Sequence, residues 1–227
     1  MTSVELAWGI DGARSLVADC DVVVVVDVLS FTTCVSVATS CGAEVRPAAY
    51  DERVRVAPGE LLAGPRDGGG VSLSPATLLS LQPGQRLILP SPNGAAIAAR
   101  LNGAPTIAAS LRNASAVARW LTAHGGRIGI VAAGEYDADG GWRPSYEDLV
   151  GAGAVIARID GPRTPQAEAA VVAFRSAGVA LAAQLLDSRS GRELVELGFG
   201  GDIEMAAALD TDDVVPVLRD GVFAADR

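Results

Sequence analysis

Five valines in succession, Val22 to Val26, constrain this chain more than any other feature. Side chains on a strand alternate between its two faces, so an all-apolar run cannot belong to a half-solvated strand. Both faces must be covered, which reads as a central strand of a largely parallel sheet flanked by helices. Acids bracket the run, Asp21 before it and Asp27 after it. Asp27 through Thr33 then reads as a loop, and Cys34-Val35-Ser36-Val37-Ala38 resumes at helical spacing, with Gly42 as the stop. Composition agrees with an α/β fold: 49% of the 227 residues are hydrophobic, mostly Ala, Val and Leu, and only 4% are aromatic.

The strand–loop–helix unit recurs. Arg86–Leu89 leads through Ser91-Pro92-Asn93-Gly94 into the Ala-rich stretch 95–101. Pro105–Ala109 leads through Ser110-Leu111-Arg112-Asn113 into a helix over 114–123, and Arg127–Ala132 opens into Ala133-Gly134-Glu135. In a parallel sheet such exits share one edge, so loops distant in sequence meet in a crevice. Helices are expected over 146–159 and 165–186, and a last short strand at Val214–Val217, an edge strand if Pro216 lies within it. Gly64–Gly70 is the best hinge candidate. No long linker appears, so residues 1–227 are read as one α/β unit, with two subdomains about the crevice as the alternative.

Charge bounds the partners. Eighteen basic and 27 acidic residues leave a net charge of −9, which repels phosphate backbones and anionic lipid, so neither nucleic acid nor membrane is expected. Every basic residue is arginine, so no lysine serves as a base, a Schiff-base former or a P-loop cation. No basic-then-apolar leader opens the sequence, and the three cysteines lack CxxC spacing, so a reduced cytoplasm is expected. The low-charge, Ala-rich C-terminal helices are compatible with a homodimer.

The strand exits carry the candidate chemistry. Asp27 leaves an apolar strand, where a carboxylate needs a partner, a turn N–H or a cation. An aspartyl-nucleophile phosphatase of the haloacid dehalogenase type needs a second Asp two residues on, and Leu29 stands there. Ser30, Thr32 and Thr33 open a helix and either cap it or hold an anion. Asn93-Gly94 is a turn signal that also places an amide at the crevice, and Arg112-Asn113 is a helix start or an anion grip. Glu135, Glu147 and Asp148 complement helix dipoles or coordinate Mg²⁺ through oxygen. His124 reads as a surface residue at a helix end, and Cys34 as a packed thiol.

Taken in order, these segments resemble the 2-phosphosulfolactate phosphatase family. The matching pieces are Val26-Asp27-Val28-Leu29 with Thr32-Thr33, Gly42-Ala43, Leu61-Leu62-Ala63-Gly64, Pro92-Asn93-Gly94 and Leu111-Arg112-Asn113-Ala114. They continue with Ala133-Gly134, Glu147-Asp148 before Gly151-Ala152-Gly153, and Val215-Pro216. The resemblance implies the family's α/β fold and Mg²⁺-dependent hydrolysis of a small anionic phosphate monoester, giving sulfolactate and phosphate from 2-phosphosulfolactate. On that basis Asp27, Glu147 and Asp148 are expected to hold the metal, with Asp27 and Glu135 catalytic. Ser30, Thr32, Thr33, Asn93, Gly94, Arg112, Asn113 and Arg143 are expected to bind substrate. Departures from the family pattern fall at Ser30, where an Arg is usual, and at Pro65, where a Glu is usual. Two further stretches depart, Ser72-Leu73-Ser74 and Ser91-Pro92. Arg66, Arg112 and Arg143 are available to restore positive charge, and the rival expectation is a non-catalytic member that binds an anionic metabolite or a protein partner.

Overall fold

The computed structural model describes residues 2–50, 54–101, 103–137 and 139–226. In chain order, β1 (Ser3–Trp8) and α1 (Gly9–Asp19) precede the valine strand β2 (Val22–Val26), which leads to α2 (Phe31–Ser40) and β3 (Glu44–Ala48). Then come β4 (Glu60–Leu62), a 3-10 turn at Pro75–Ser80, β5 (Arg86–Pro90) and α3 (Gly94–Ala98). These are followed by β6 (Thr106–Ala109), α4 (Ala114–His124) and β7 (Arg127–Ala132). A two-stranded ribbon of β8 (Glu135–Tyr136) and β9 (Trp142–Arg143) precedes α5 (Tyr146–Ile156), α6 (Pro165–Ala177) and α7 (Leu181–Asp187). Next are α8 (Arg189–Glu196), α9 (Gly200–Ala207) and the closing hairpin of β10 (Pro216–Arg219) and β11 (Val222–Ala225).

One nine-stranded sheet runs β1-β7-β2-β6-β10-β11-β3-β5-β4. All five valines are fully buried, as two-faced burial requires. Val22, Val24 and Val26 pack with Val117, Leu121 and Val150 on one face, while Val23 and Val25 pack with Leu16 and Ile97 on the other. Helix α5 can press on the first of these faces and, on its other side, on α6 because its glycines leave room. A Cβ on Gly151 would stand 2.5 Å from Val28 Cγ2, and one on Gly153 would stand 2.0 Å from the Ala170 oxygen. The Gly151-Ala152-Gly153 motif is thus a packing device.

The parallel expectation holds within two groups, β1-β7-β2-β6 and β3-β5-β4. Between them the hairpin β10-β11 pairs antiparallel to both neighbours, so the second group opposes the first in the ladder. Five inter-strand steps separate β2 from β5. At roughly 20–25° each they accumulate ~100–125° of twist, which turns the exit of β5 back toward the exit of β2.

Two sequence expectations change. Strand β10 is central rather than at an edge, and Pro216 is tolerated as its first residue, paired opposite Ala225. The long C-terminal helix breaks at Gly178 into α6, a 3-10 turn and α7. By length and hydropathy alone the 23-residue stretch Pro165–Asp187 is apolar enough to cross a membrane, with an 18-residue window of mean hydropathy 1.7. Its buried side, including Ala167, Ala170, Val171, Leu181 and Leu185, packs into the sheet-facing core.

Candidate active site

The exits of β2, β5 and β7 converge with the 64–70 loop and α8 on a cleft of about 200 Å³, whose walls include Asp27, Ser30, Arg66, Asn93 and Glu135. Asp27 is 3% exposed, and its carboxylate accepts from two backbone amides, Phe31 N–H at Oδ1 (3.2 Å) and Gly94 N–H at Oδ2 (2.6 Å). Its own backbone is fixed by Thr32, whose hydroxyl accepts from Asp27 N–H (2.9 Å) and donates to Asp27 C=O (2.8 Å). Thr33 Oγ1 likewise donates to Val28 C=O (2.7 Å). Both hydroxyls therefore shape the loop rather than present themselves to a ligand.

Asp148 ties three segments together. Its Oδ1 accepts from Val28 N–H (2.8 Å), and its Oδ2 accepts from Gly134 N–H (2.9 Å) and Ser145 Oγ (2.7 Å), so the exits of β2 and β7 are held against α5. Asn93 Nδ2 donates to Glu135 Oε1 (2.7 Å) and sets that side chain. Two buried acceptors have no partner among the described residues, Asn93 Oδ1 and Glu147 Oε2.

The carboxylates share one electrostatic environment. Burial, partly offset by the Gly94 and Phe31 amides, raises Asp27 from its ordinary 3.8 to about 6. Burial raises Glu135 from 4.5 to about 7 against the Asn93 hydrogen bond, with the charges of Asp27 and Glu147 adding to the rise. Asp148 is pushed well up by burial first, then by Asp27 and Glu147. A cluster of buried acids holding back one another's ionisation needs protons or a cation.

Arg66 is the guanidinium that lines this cleft among the described residues. Its Nη2 donates to Ser30 Oγ (3.0 Å), its Nη1 pairs with the buried Asp202, and its head lies 5.4 Å over the Phe199 ring. Ser74 Oγ also donates to Asp202. Ser30, at the exit of β2, thus meets a cation delivered from the 64–70 loop.

Other expected binding residues lie elsewhere. Arg112 forms a bidentate pair with Asp212 (2.8 and 2.7 Å) and donates to Met205 C=O (2.9 Å). Asn113 accepts from Ser110 N–H (2.8 Å) and donates to Ala108 and Val214 carbonyls, so both pin α4 to the C-terminal segment. Arg143 stands at the rim, donating to Asp137 (3.2 Å) and to Ser190 Oγ (3.2 Å), and Ser190 itself lines the cleft. Asp202, Ser74 and the α8 residues Ser190 and Glu193 were not among the sequence candidates. They reach the site from across the fold, and no local pattern marks them.

A model of the 2-phosphosulpholactate phosphatase family matches residues 13–221. The 2-phosphosulfolactate phosphatase of Methanothermobacter thermautotrophicus is 31% identical over 204 residues, covering 87% of each chain. The probable 2-phosphosulfolactate phosphatase of Carboxydothermus hydrogenoformans is 33% identical, covering 86% of this chain and 84% of its own. That of Thermotoga petrophila is 31% identical, covering 90% and 92%. The order of buried acids and turn motifs around the cleft, and a match over nearly the whole length, have one reading: this chain belongs to the 2-phosphosulfolactate phosphatase family.

Proposed function

We propose that the protein is a Mg²⁺-dependent phosphatase for a small phosphorylated 2-hydroxy acid, with 2-phosphosulfolactate, the substrate in its relatives' names, as the first candidate. The observation that carries this reading is the buried acid cluster of Asp27, Glu135 and Glu147, in which Glu147 Oε2 has no partner among the described residues and the Arg66 guanidinium lines the same cleft as Asp27 and Glu135. No three His, Cys, Asp or Glu side chains among the described residues converge to chelate an ion unaided. Mg²⁺ asks for less, since one or two carboxylates suffice beside waters and substrate phosphate. Asp27 and Glu147 fit that role, and the ion when bound supplies positive charge against the phosphoryl oxygens.

The chain's own residues do the rest. Arg66, braced by Asp202 and Phe199, faces the anionic substrate across from the acids. Glu135, half-protonated near neutrality and oriented by Asn93, takes the proton of the attacking water. Asp148 and Thr32 are positioning residues that lock the loops bearing Asp27 and Gly134. The test is phosphate release from phosphorylated hydroxy acids, with Mg²⁺ and with chelator. Chelator-sensitive release supports the reading, whereas ligand-dependent stabilisation without release makes this chain a binding member of its family. On the same reading a homodimer forms through the apolar outer side of α6 and α7, where Val172, Val179 and Leu186 are exposed, and a monomer in light scattering overturns it.

A further inference from the structure

Beside the catalytic cleft lies a second cavity of about 410 Å³, and the two share the walls Pro92 and Asn93. Among the described residues the large exposed aromatics are Tyr50 (73% exposed), Tyr136 (45%) and Trp142 (39%), and all three line this cavity. In a chain with only 4% aromatic residues, that convergence is a concentration of ring surface at one place. Trp142 is held rigidly there. Its Nε1 donates to Ala133 C=O (3.1 Å), its ring meets Trp8 edge-on at 6.2 Å, and it lies so close over Gly9 and Gly134 that a Cβ on Gly134 would stand 2.6 Å from it. Ile10, Ile97 and Ala96 complete an apolar floor, and Arg14 and Arg100 also line the cavity.

Such a wall suits a flat ring. Fixed aromatic side chains offer stacking faces at low entropic cost, and guanidinium groups favour π surfaces. We infer that this cavity binds an aromatic group attached to the phosphate ester, so that the chain takes aryl-bearing phosphate monoesters. The phosphate then sits on the Asp27 side of Asn93 and the ring on the Trp142 side. Hydrolysis forms a bond from water oxygen to phosphorus and breaks the ester P–O bond. Inorganic phosphate leaves, and the proton that Glu135 takes from the water is returned to the departing alkoxide, giving the ring-bearing hydroxy compound. This inference rests on the phosphatase reading for the phosphate end and adds the chemical class of the remainder.

The test pairs binding with turnover. Benzylphosphonate and methylphosphonate, neither hydrolysable, are titrated calorimetrically into the full chain with Mg²⁺. The benzyl compound is expected to bind at least about tenfold more tightly. That ratio should fall below about threefold in the Tyr50→Ala/Tyr136→Ala variant and in Ala96→Trp, which fills the cavity, while methylphosphonate keeps its affinity. Equal affinities in the wild type, or a ratio untouched by both variants, overturn the inference. Turnover of 2-phospholactate and 2-phospho-3-phenyllactate separates the two readings. Ring-selective binding with no release from any ester overturns the phosphatase and leaves the ring site. Release from both esters at equal kcat/KM overturns the ring site and leaves the phosphatase. Binding of neither phosphonate overturns both.

Discussion

Gly94 and Asp27, 67 positions apart, meet so closely that the Gly94 amide donates to Asp27 Oδ2 at 2.6 Å while a Cβ on Gly94 would stand 2.6 Å from the same oxygen. The amide needs the approach and a methyl forbids it. The same methyl would lie 2.7 Å from Asp27 Cβ and from Phe31 Cδ1, both in the packed interior, so neither neighbour can yield cheaply. Gly94→Ala is expected to cost roughly 1–3 kcal/mol of stability and, by shifting the carboxylate, at least ~100-fold in turnover. Urea unfolding and phosphate release measure the two, and full activity in a folded Gly94→Ala protein removes Asp27 from the site.

On the proposed mechanism Glu135 sets the pH dependence. Burial, followed by the charges of Asp27 and Glu147, lifts its ionisation to about 7, so it is mostly protonated at pH 6 and mostly ionised at pH 8. A general base must be ionised, so kcat/KM should rise with pH up to an inflection no higher than about 7 and then level. Bound cation moves that inflection down. In Glu135→Gln the profile should lose this limb and lie roughly 10²–10⁴-fold lower. An unchanged inflection in the variant assigns the base elsewhere.

Local pattern carried some parts of this structure and not others. The valine strand, the Ser91–Gly94 exit, the helix after Asn113 and the Arg127–Ala132 strand were legible because apolar runs and turn residues act within a few positions. Strand β1, six residues of mixed character, has no such signal, and β3 carries Pro47 inside it. Strand order across β10 and β11 depends on pairings between residues more than 100 positions apart, such as Val217 with Ile107. The site divides the same way. Asp27, Asn93 and Glu135 follow strand exits, where a sequence reading looks first, and they line one cleft. Asp202 reaches Arg66 over 136 positions, and Asp212 reaches Arg112 over 100, so Arg112 looked free in sequence when it is bound in the fold.

Metal-free protein should weaken as pH rises. The folded-state value of Asp27 is raised above the ordinary one, so its stabilising contribution is fully present below about pH 4 and is lost as pH passes about 6. Moving from 3.8 to about 6 corresponds to roughly 3 kcal/mol for this fully buried group, and Glu135, raised from 4.5 to about 7, adds a loss of the same order up to about pH 7. Mg²⁺ should restore the difference, raising Tm more at pH 8 than at pH 5, and Asp27→Asn should make the pH slope shallower, leaving the part due to Glu135 and Asp148, and abolish the Mg²⁺ response. Scanning calorimetry with and without chelator decides it. A Tm indifferent to Mg²⁺ at pH 8 argues against a cation at these acids.

Two arginines, Arg66 and Arg112, make opposite predictions. Arg112 and Asp212 are 12% and 7% exposed and form a bidentate pair, so Arg112→Ala leaves a buried carboxylate without its counter-charge, with the Ser36 hydroxyl as its remaining side-chain donor, and should cost about 3–5 kcal/mol. Loss of activity there would be ambiguous, because an unfolded chain is also inactive. Replacing both partners, as Arg112→Met with Asp212→Leu, removes the stranded charge and should recover most of the stability. If Arg112 only clamps α4 to the C-terminal segment, this double variant keeps kcat/KM within a few-fold. Arg66→Ala likewise leaves the buried Asp202 with only a hydroxyl donor, Ser74, and should cost stability too, but in the folded protein it should raise KM at least ~10-fold, because a charge-assisted contact to the substrate anion is lost. A folded double variant that has lost its activity would return Arg112 to the substrate, and an Arg66→Ala protein with unchanged KM would take Arg66 away from it.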